Sequence, residues 1–354
     1  MINGTKLVKL RDHLDKFLAV YVVIAIVIGL LAGLRAGSWV PAHKAFLSML
    51  ELVAIIIMIF PMMVMLNFNG LAKGFKSWKM LIIVLLMNFG WGPLFAIILG
   101  DIFLTNPLLR LGVFLAWLVP CSSMSIGYVG LMRGNIEAAT AMVAITFILA
   151  IPIIPILADW YGSAYHVSVP MMLLITTIIE IIIIPMIVGL ITHSALLKKL
   201  GQAKFKQYSP IFPSVTMIGM FLIVFVIFFS NARLMEAYIS SVIDIFYIAI
   251  IFGTISLLFM TFFLKALKFD FWDAMAATFP SIGKNEATAI AIAALAFSPL
   301  VVIAPSVFPV FQIIFLVTYI KLRPKIAHLY GIKTKDVTFK EYMEESETAQ
   351  NGGE

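Results

Sequence analysis

The sequence predicts an all-α membrane protein: ten transmembrane helices in two inverted five-helix repeats, with broken helices four and nine crossing at the midplane. Three observations carry that expectation. The first is composition, since hydrophobic residues make up 62% of the 354-residue chain and charged residues only 12%, with a mean hydropathy of +1.07. A water-soluble domain of this length could not cover so much apolar area with polar surface. The second is a series of apolar runs, each near the ~20 residues that a spanning helix requires. The third is a pair of Pro- and Gly-interrupted segments at corresponding places in the two halves.

The runs fall at 17–36, 46–68, 79–100, 107–130, 136–157, 168–192, 210–230, 238–264, 272–297 and 299–321. The first follows "MINGTKLVKLRDHLDK", a charged start that resembles a secretory signal. Its apolar run is too long for one and has no clear small-x-small cleavage site, so it is read as a retained helix. Residues 1–16 then form a cytoplasmic N-terminus, 17–160 a first five-span repeat, 161–325 a second, and 326–354 a cytoplasmic polar tail. Basic residues set the orientation. Lys6, Lys9, Arg11 and Lys16 precede the first span, Lys73, Lys76 and Lys79 lie between the second and third, and Lys198, Lys199, Lys204 and Lys206 lie between the sixth and seventh. Both termini are therefore expected in the cytoplasm, as an even number of spans demands, and the expected location is the plasma membrane.

The interrupted segments are "FLAWLVPCSSMSIGYVGLMRGN" in span four and "FWDAMAATFPSIGKNEATA" in span nine. Each places a proline, small hydroxyl residues and a glycine near mid-membrane. Five spans per repeat is an odd number, so the second copy must be inserted upside down. Proline removes an amide donor and leaves backbone groups unpaired where water is absent, so those groups must face protein, a wet cavity or a solute. Pro120 and Gly127 in the first segment, and Pro280 and Gly283 in the second, are the expected helix breaks.

Span nine also carries Lys284, Asn285 and Glu286. Charge inside the bilayer costs about 2.5–3.5 kcal/mol on insertion scales, so the two ions either compensate each other or serve a function. Positions i and i+2 of a continuous helix point to different sides, so the two could pair only where the helix is unwound. Cys121 is the chain's single cysteine, which excludes an internal disulfide and any multi-cysteine metal site. A lone buried cysteine acts either as a small hydrophobe or as a soft ligand. Ser122, Ser123 and Ser125 could bond a solute or a carbonyl of their own helix.

Other classes find little support. There is no H-E-x-x-H, no G-x-S-x-G and no paired aspartates of the prenyl-transfer kind, so an intramembrane enzyme is not expected. The five histidines lie at segment ends without metal-ligand spacing. No cofactor, resident metal or nucleic-acid partner is expected.

The strings "MNFGWGP" (Met87–Pro93), "VPCSSM" (Val119–Met124) and "NEATAIAIA" (Asn285–Ala293) together resemble the arsenical-resistance-3 arsenite efflux permeases, within the bile acid:sodium symporter superfamily. The resemblance implies a secondary active transporter that exports arsenite, a small inorganic oxyanion, by proton exchange and alternating access. It matches Cys121 to the family cysteine that meets trivalent arsenic, Glu286 to the span-nine glutamate and Asn88 to the span-three asparagine. With the neighbouring polar groups added, the expected substrate residues are Cys121, Ser122, Ser123, Asn88 and Asn285, and the expected ion-coupling residues are Lys284, Glu286 and Ser281. The alternative it leaves open is a sodium-independent symporter or exchanger of organic anions such as bile-acid-like or small carboxylates. Sodium-coupled relatives carry a string like E-x-G-x-Q-N in span nine, whose Glu is a sodium ligand. Here "SIGKNE" puts Ser281 in place of that carboxylate and adds the Lys284 ammonium. A fixed cation can occupy the electrostatic role of a bound one and repel the ion. The chain is thus expected to be sodium-independent, with Lys284 losing and regaining a proton during the cycle.

Overall fold

The structure, a computed structural model, describes residues 4–66 and 77–332. The expectations for Lys73, Lys76 and most of the polar tail lie outside the described residues. Among those residues, secondary structure is helical apart from one isolated antiparallel bridge. In chain order the helices are α1 (Gly4–Lys16), α2 (Leu18–Ala36), α3 (Lys44–Val64), α4 (Trp78–Phe103), α5 (Pro107–Leu118), α6 (Met124–Leu131) and α7 (Ile136–Tyr165). They continue with α8 (Met171–Tyr208), α9 (Ile211–Ser230), α10 (Ile239–Ala266), α11 (Phe271–Ile282), α12 (Glu286–Ala296) and α13 (Pro299–Lys321). Eight of these, α2, α3, α4, α7, α8, α9, α10 and α13, are long and apolar enough to cross a membrane. Large apolar side chains stand on their outer faces, such as Met172 at 79% and Ile102 at 68% exposure, the surface a lipid solvent requires.

Polar side chains start the helices that frame the two interrupted segments. Asn106 accepts from Leu108 N at 2.9 Å and opens α5, with Pro107 at the first helical position, where its missing amide costs nothing. Asn135 accepts from Ala138 N at 3.0 Å and opens α7. Asp270 accepts from Asp273 N at 2.7 Å and opens α11. Each cap satisfies an otherwise orphaned first-turn amide. Asn135 also donates to Asp273 Oδ1 at 2.8 Å, which ties the start of α7 to the start of α11.

The helices form two packed groups. In one, α9 lies against α2 and α3, α8 lies against α3, and α1 rests on α9. In the other, α13 packs on α5, α10 and α12, while α11 packs on α6, α7 and α10. The groups meet where α12 touches α3 and α8 and where α13 touches α2. Small residues make these approaches possible, because apolar side chains gain little by leaving lipid for each other and close backbone packing must supply the stability. Ala287, Ala289, Ala291 and Ala293 of α12 are buried. Gly112 of α5 faces α13 so closely that a Cβ there would lie 2.5 Å from Val301 O.

Candidate functional site

The two interrupted segments are each split into short helices, α5 with α6 and α11 with α12, and the gaps between them pair with one another. Ser122 N donates to Gly283 O at 2.7 Å and Asn285 N donates to Pro120 O at 2.9 Å, an antiparallel bridge between Cys121 and Lys284. Each break thus satisfies backbone groups of the other in a place without water.

Two of the expected break residues lie elsewhere. Gly127 sits inside α6, because a glycine costs a helix only about 1 kcal/mol, too little to interrupt it. Pro280 sits inside α11, which runs on to Ile282. The turn falls at Gly283 (φ −74°, ψ 84°), the centre of an inverse γ-turn closed by Lys284 N to Ile282 O at 2.9 Å. Glycine is needed there for proximity, since a Cβ would lie 2.5 Å from Ser125 Oγ of α6. Pro120 does lie in the first gap, after Val119 in the extended conformation (ψ 154°) that a following proline favours.

The charge at the crossing is seated by a feature of "MNFGWGP". Residues Met87–Trp91 form a π-turn in which Gly92 N bonds Met87 O. In a regular α-helix that amide would bond Asn88 O, and the next candidate donor, Pro93, has none. The released Asn88 carbonyl accepts from Lys284 Nζ at 3.2 Å, and Asn88 Oδ1 accepts from the same ammonium at 2.8 Å. Asn88 Nδ2 in turn donates to Val84 O at 2.8 Å and to Pro280 O at 3.0 Å. Asn88 is fully buried, and Lys284 is 1% exposed.

Several residues at this site escaped the sequence reading. Gln312 of α13 holds the backbone of Lys284 from both sides: its Oε1 accepts from Lys284 N at 2.7 Å and its Nε2 donates to Lys284 O at 2.9 Å. A lone amide in the apolar run "APSVFPVFQIIF" was the available signal. Thr146 Oγ1 lies 2.9 Å from Cys121 Sγ. Ser125, read as bonding a solute or its own helix, instead donates from Oγ to Phe279 O at 3.2 Å and Gly283 O at 3.3 Å, both in the other interrupted segment.

The remaining expected residues divide between the crossing and its margin. Cys121 is fully buried with its thiol turned to Thr146. Asn285 caps α12 by accepting from Thr288 N at 3.2 Å, and its Nδ2 contacts Met62 Sδ at 3.1 Å. Ser281 Oγ donates to Ala277 O at 2.7 Å within its own helix. Ser122 Oγ accepts from Met124 N at 3.2 Å, and Ser123 precedes α6 without a side-chain capping bond. Glu286 opens α12; it is 5% exposed, and its Oε2 has no hydrogen-bond partner. It borders a cavity of about 30 Å³ together with Gln312, Trp117, Phe252, Phe308, Phe311 and Phe315. None of Cys121, Ser122, Ser123, Asn88 or Asn285 lines that cavity.

Interrupted helices that meet inside a polytopic helical protein are a recurring feature of membrane transport proteins. Comparison with known proteins gives the family. The model of the sodium bile acid symporter family matches residues 52–237, more than half of the chain, and the chain belongs to that family. It is a membrane transporter, not an enzyme. It is also similar to a protein described as an uncharacterized transporter, slr0944, of Synechocystis sp., with 22% identity over 269 residues, 69% of this chain and 70% of the relative. The family match takes in the first break and ends before the second.

Proposed function

We propose that this transporter is a sodium-independent secondary carrier that exports arsenite in exchange for protons across the plasma membrane. Its ten spans comprise the eight long helices and the two interrupted segments, arranged as two inverted five-span repeats with both termini in the cytoplasm. Alternating access moves one helix group against the other around the crossing.

The observation that carries this reading is the Lys284 ammonium, buried at the crossing on two oxygens of Asn88. The family's name speaks of sodium, and the resemblance puts a sodium-ligand carboxylate at position 281. Here that position is a serine whose hydroxyl bonds its own helix, and a fixed cation stands nearby. That charge arrangement repels sodium and supplies what the ion would supply. Lys284 and Glu286 serve coupling, with Lys284 giving up and regaining a proton in each cycle.

Cavity size supports a small cargo. A volume of about 30 Å³ has room for about two waters, at ~10–15 Å³ each on this measure. The cargo reading therefore rests on the crossing and the cavity, and not on Cys121, whose thiol is engaged by Thr146.

The test is arsenite accumulation in cells lacking their own exporters. Expression of the native chain should lower accumulation, Lys284→Ala should restore it, and efflux should follow an imposed proton gradient and ignore a sodium gradient. Unchanged accumulation with the native chain rejects the arsenite reading; a strict sodium requirement rejects the coupling.

A further inference from the structure

One helix stands outside the spans and still reaches the crossing. α1, "GTKLVKLRDHLDK", buries Leu7 and leaves Lys6, Lys9 and Lys16 exposed, the pattern of a helix lying on a protein surface. It packs on α2, α8 and α9, all of the first helix group. His13 Nε2 lies 2.8 Å from Tyr21 Oη of α2, and the Tyr21 ring sits 5.4 Å from that of Phe221 in α9. α1 is therefore fixed to the first group.

Its penultimate residue, Asp15, is bonded to the other group. Tyr128 Oη of α6 donates to Asp15 Oδ1 at 3.2 Å. α6 packs on α7, α11 and α13, all of the second group. Tyr128 is 5% exposed and its ring lies 6.0 Å from the Phe279 ring of α11. Ser125, one turn before it, bonds Phe279 O and Gly283 O, so Tyr128 is fixed to the second break. A buried tyrosine hydroxyl needs a partner, and this one takes it from across the boundary between the groups. Separating the groups at this end must part the two side chains, so the bond adds its free energy to the closed arrangement alone.

We propose that the Asp15–Tyr128 bond is the latch of the carrier's cytoplasmic mouth: α1 straps the crossing to the first group and must let go before that mouth opens. The latch rests on the orientation and the rocking of the two groups proposed above. As one bond among many contacts, it sets the balance between closed and open mouth and not the existence of either.

The experiment measures distances by pulsed electron spin resonance in the purified full chain in lipid nanodiscs. Spin labels at Lys9→Cys in α1 and Leu131→Cys at the end of α6, both exposed positions, are placed in a Cys121→Ala background, which removes the competing thiol. Tyr128→Phe keeps the ring against Phe279 and removes only the hydroxyl; Asp15→Ala removes the acceptor from the other side. Each should raise the ratio of longer-distance to native-distance populations about threefold to tenfold, the net effect of one hydrogen bond. The two together should do no more than one alone, since both cut the same bond. Unchanged ratios in both single variants, or effects that multiply in the double variant, overturn the latch. So does a longer distance at the opposite end, between labels at Ser38→Cys and Ile102→Cys, which signals general loosening. An antibody that reaches a tag at Met1 on intact cells overturns the orientation shared with the proposed function, whatever the distances show.

Discussion

The two breaks are built differently although they pair edge to edge. The first, Val119–Ser123, holds only small neutral groups: the thiol of Cys121 meets Thr146 of α7, and the hydroxyl of Ser122 meets Met124 N. The second, Gly283–Asn285, holds a charge and is gripped by Asn88 of α4 and Gln312 of α13. Both draw on other helices, but a hydroxyl there serves the neutral break. The charged one takes two amide side chains and a freed carbonyl, because an ion in a dry interior must have every donor placed.

That contrast can be broken most severely at Lys284. Lys284→Ala leaves the two Asn88 oxygens buried without their donor, a penalty of about 1–3 kcal/mol each, and removes the charge proposed to serve coupling. Transport by reconstituted vesicles should fall by about two orders of magnitude, at ~1.4 kcal/mol per tenfold; a loss under threefold would make the lysine a bystander.

Gln312→Leu comes next. It strips the partner from Lys284 O and leaves Lys284 N only its γ-turn bond to Ile282 O, at about 1–3 kcal/mol for the orphaned carbonyl, and should lower the melting temperature of the purified chain clearly while leaving the first break intact. An unchanged melting curve would mean that the grip is ornamental. Gly283→Ala should cost less, about 1–3 kcal/mol in all, by pushing the turn off Ser125. It should lower thermal stability measurably, and more than Gly127→Ala, since nothing lies within 4 Å of a Cβ at Gly127.

The smallest effect is expected on the neutral side. Cys121→Ala removes a thiol whose partner Thr146 keeps its bonds to Met142 O and Val143 O at 2.9 Å. Arsenite transport should stay within about threefold, under ~1.4 kcal/mol. Abolished transport with an unchanged melting curve would return the thiol to the substrate and refute the distinction between the breaks.

Much of the helical layout was legible in the sequence, since composition and apolar run length are one-dimensional quantities and lipid admits few ways to bury a backbone. The runs read at 17–36, 210–230 and 299–321 lie within a residue of α2, α9 and α13. The spacing of Lys284 and Glu286 allowed a pair only in an unwound segment; the segment is unwound, but the pair does not form, and Lys284 bonds Asn88 instead. The location of the turns was legible only in part: Pro120 and Gly283 lie in the gaps, but nothing in the sequence separated them from Gly127 and Pro280, which lie inside helices. Proline and glycine mark permission to break, whereas the actual break lies where a second segment is present to take the freed groups, at Gly283 and not at Pro280 or Gly127.

The sequence by itself determined that this chain is helical, lives in lipid and carries an ammonium and a carboxylate in one interrupted segment. Tertiary structure alone decided what those charges meet. The π-turn at Met87–Trp91, with proline following, releases one carbonyl, and packing of α4 and α13 brings Asn88 and Gln312 to Lys284 from 196 and 28 residues away. Sequence distance carries no record of such meetings. They exist because an unpaired polar group in a dry interior is so costly that the fold must supply each one a partner, and Glu286 Oε2 stands out as a group still awaiting one.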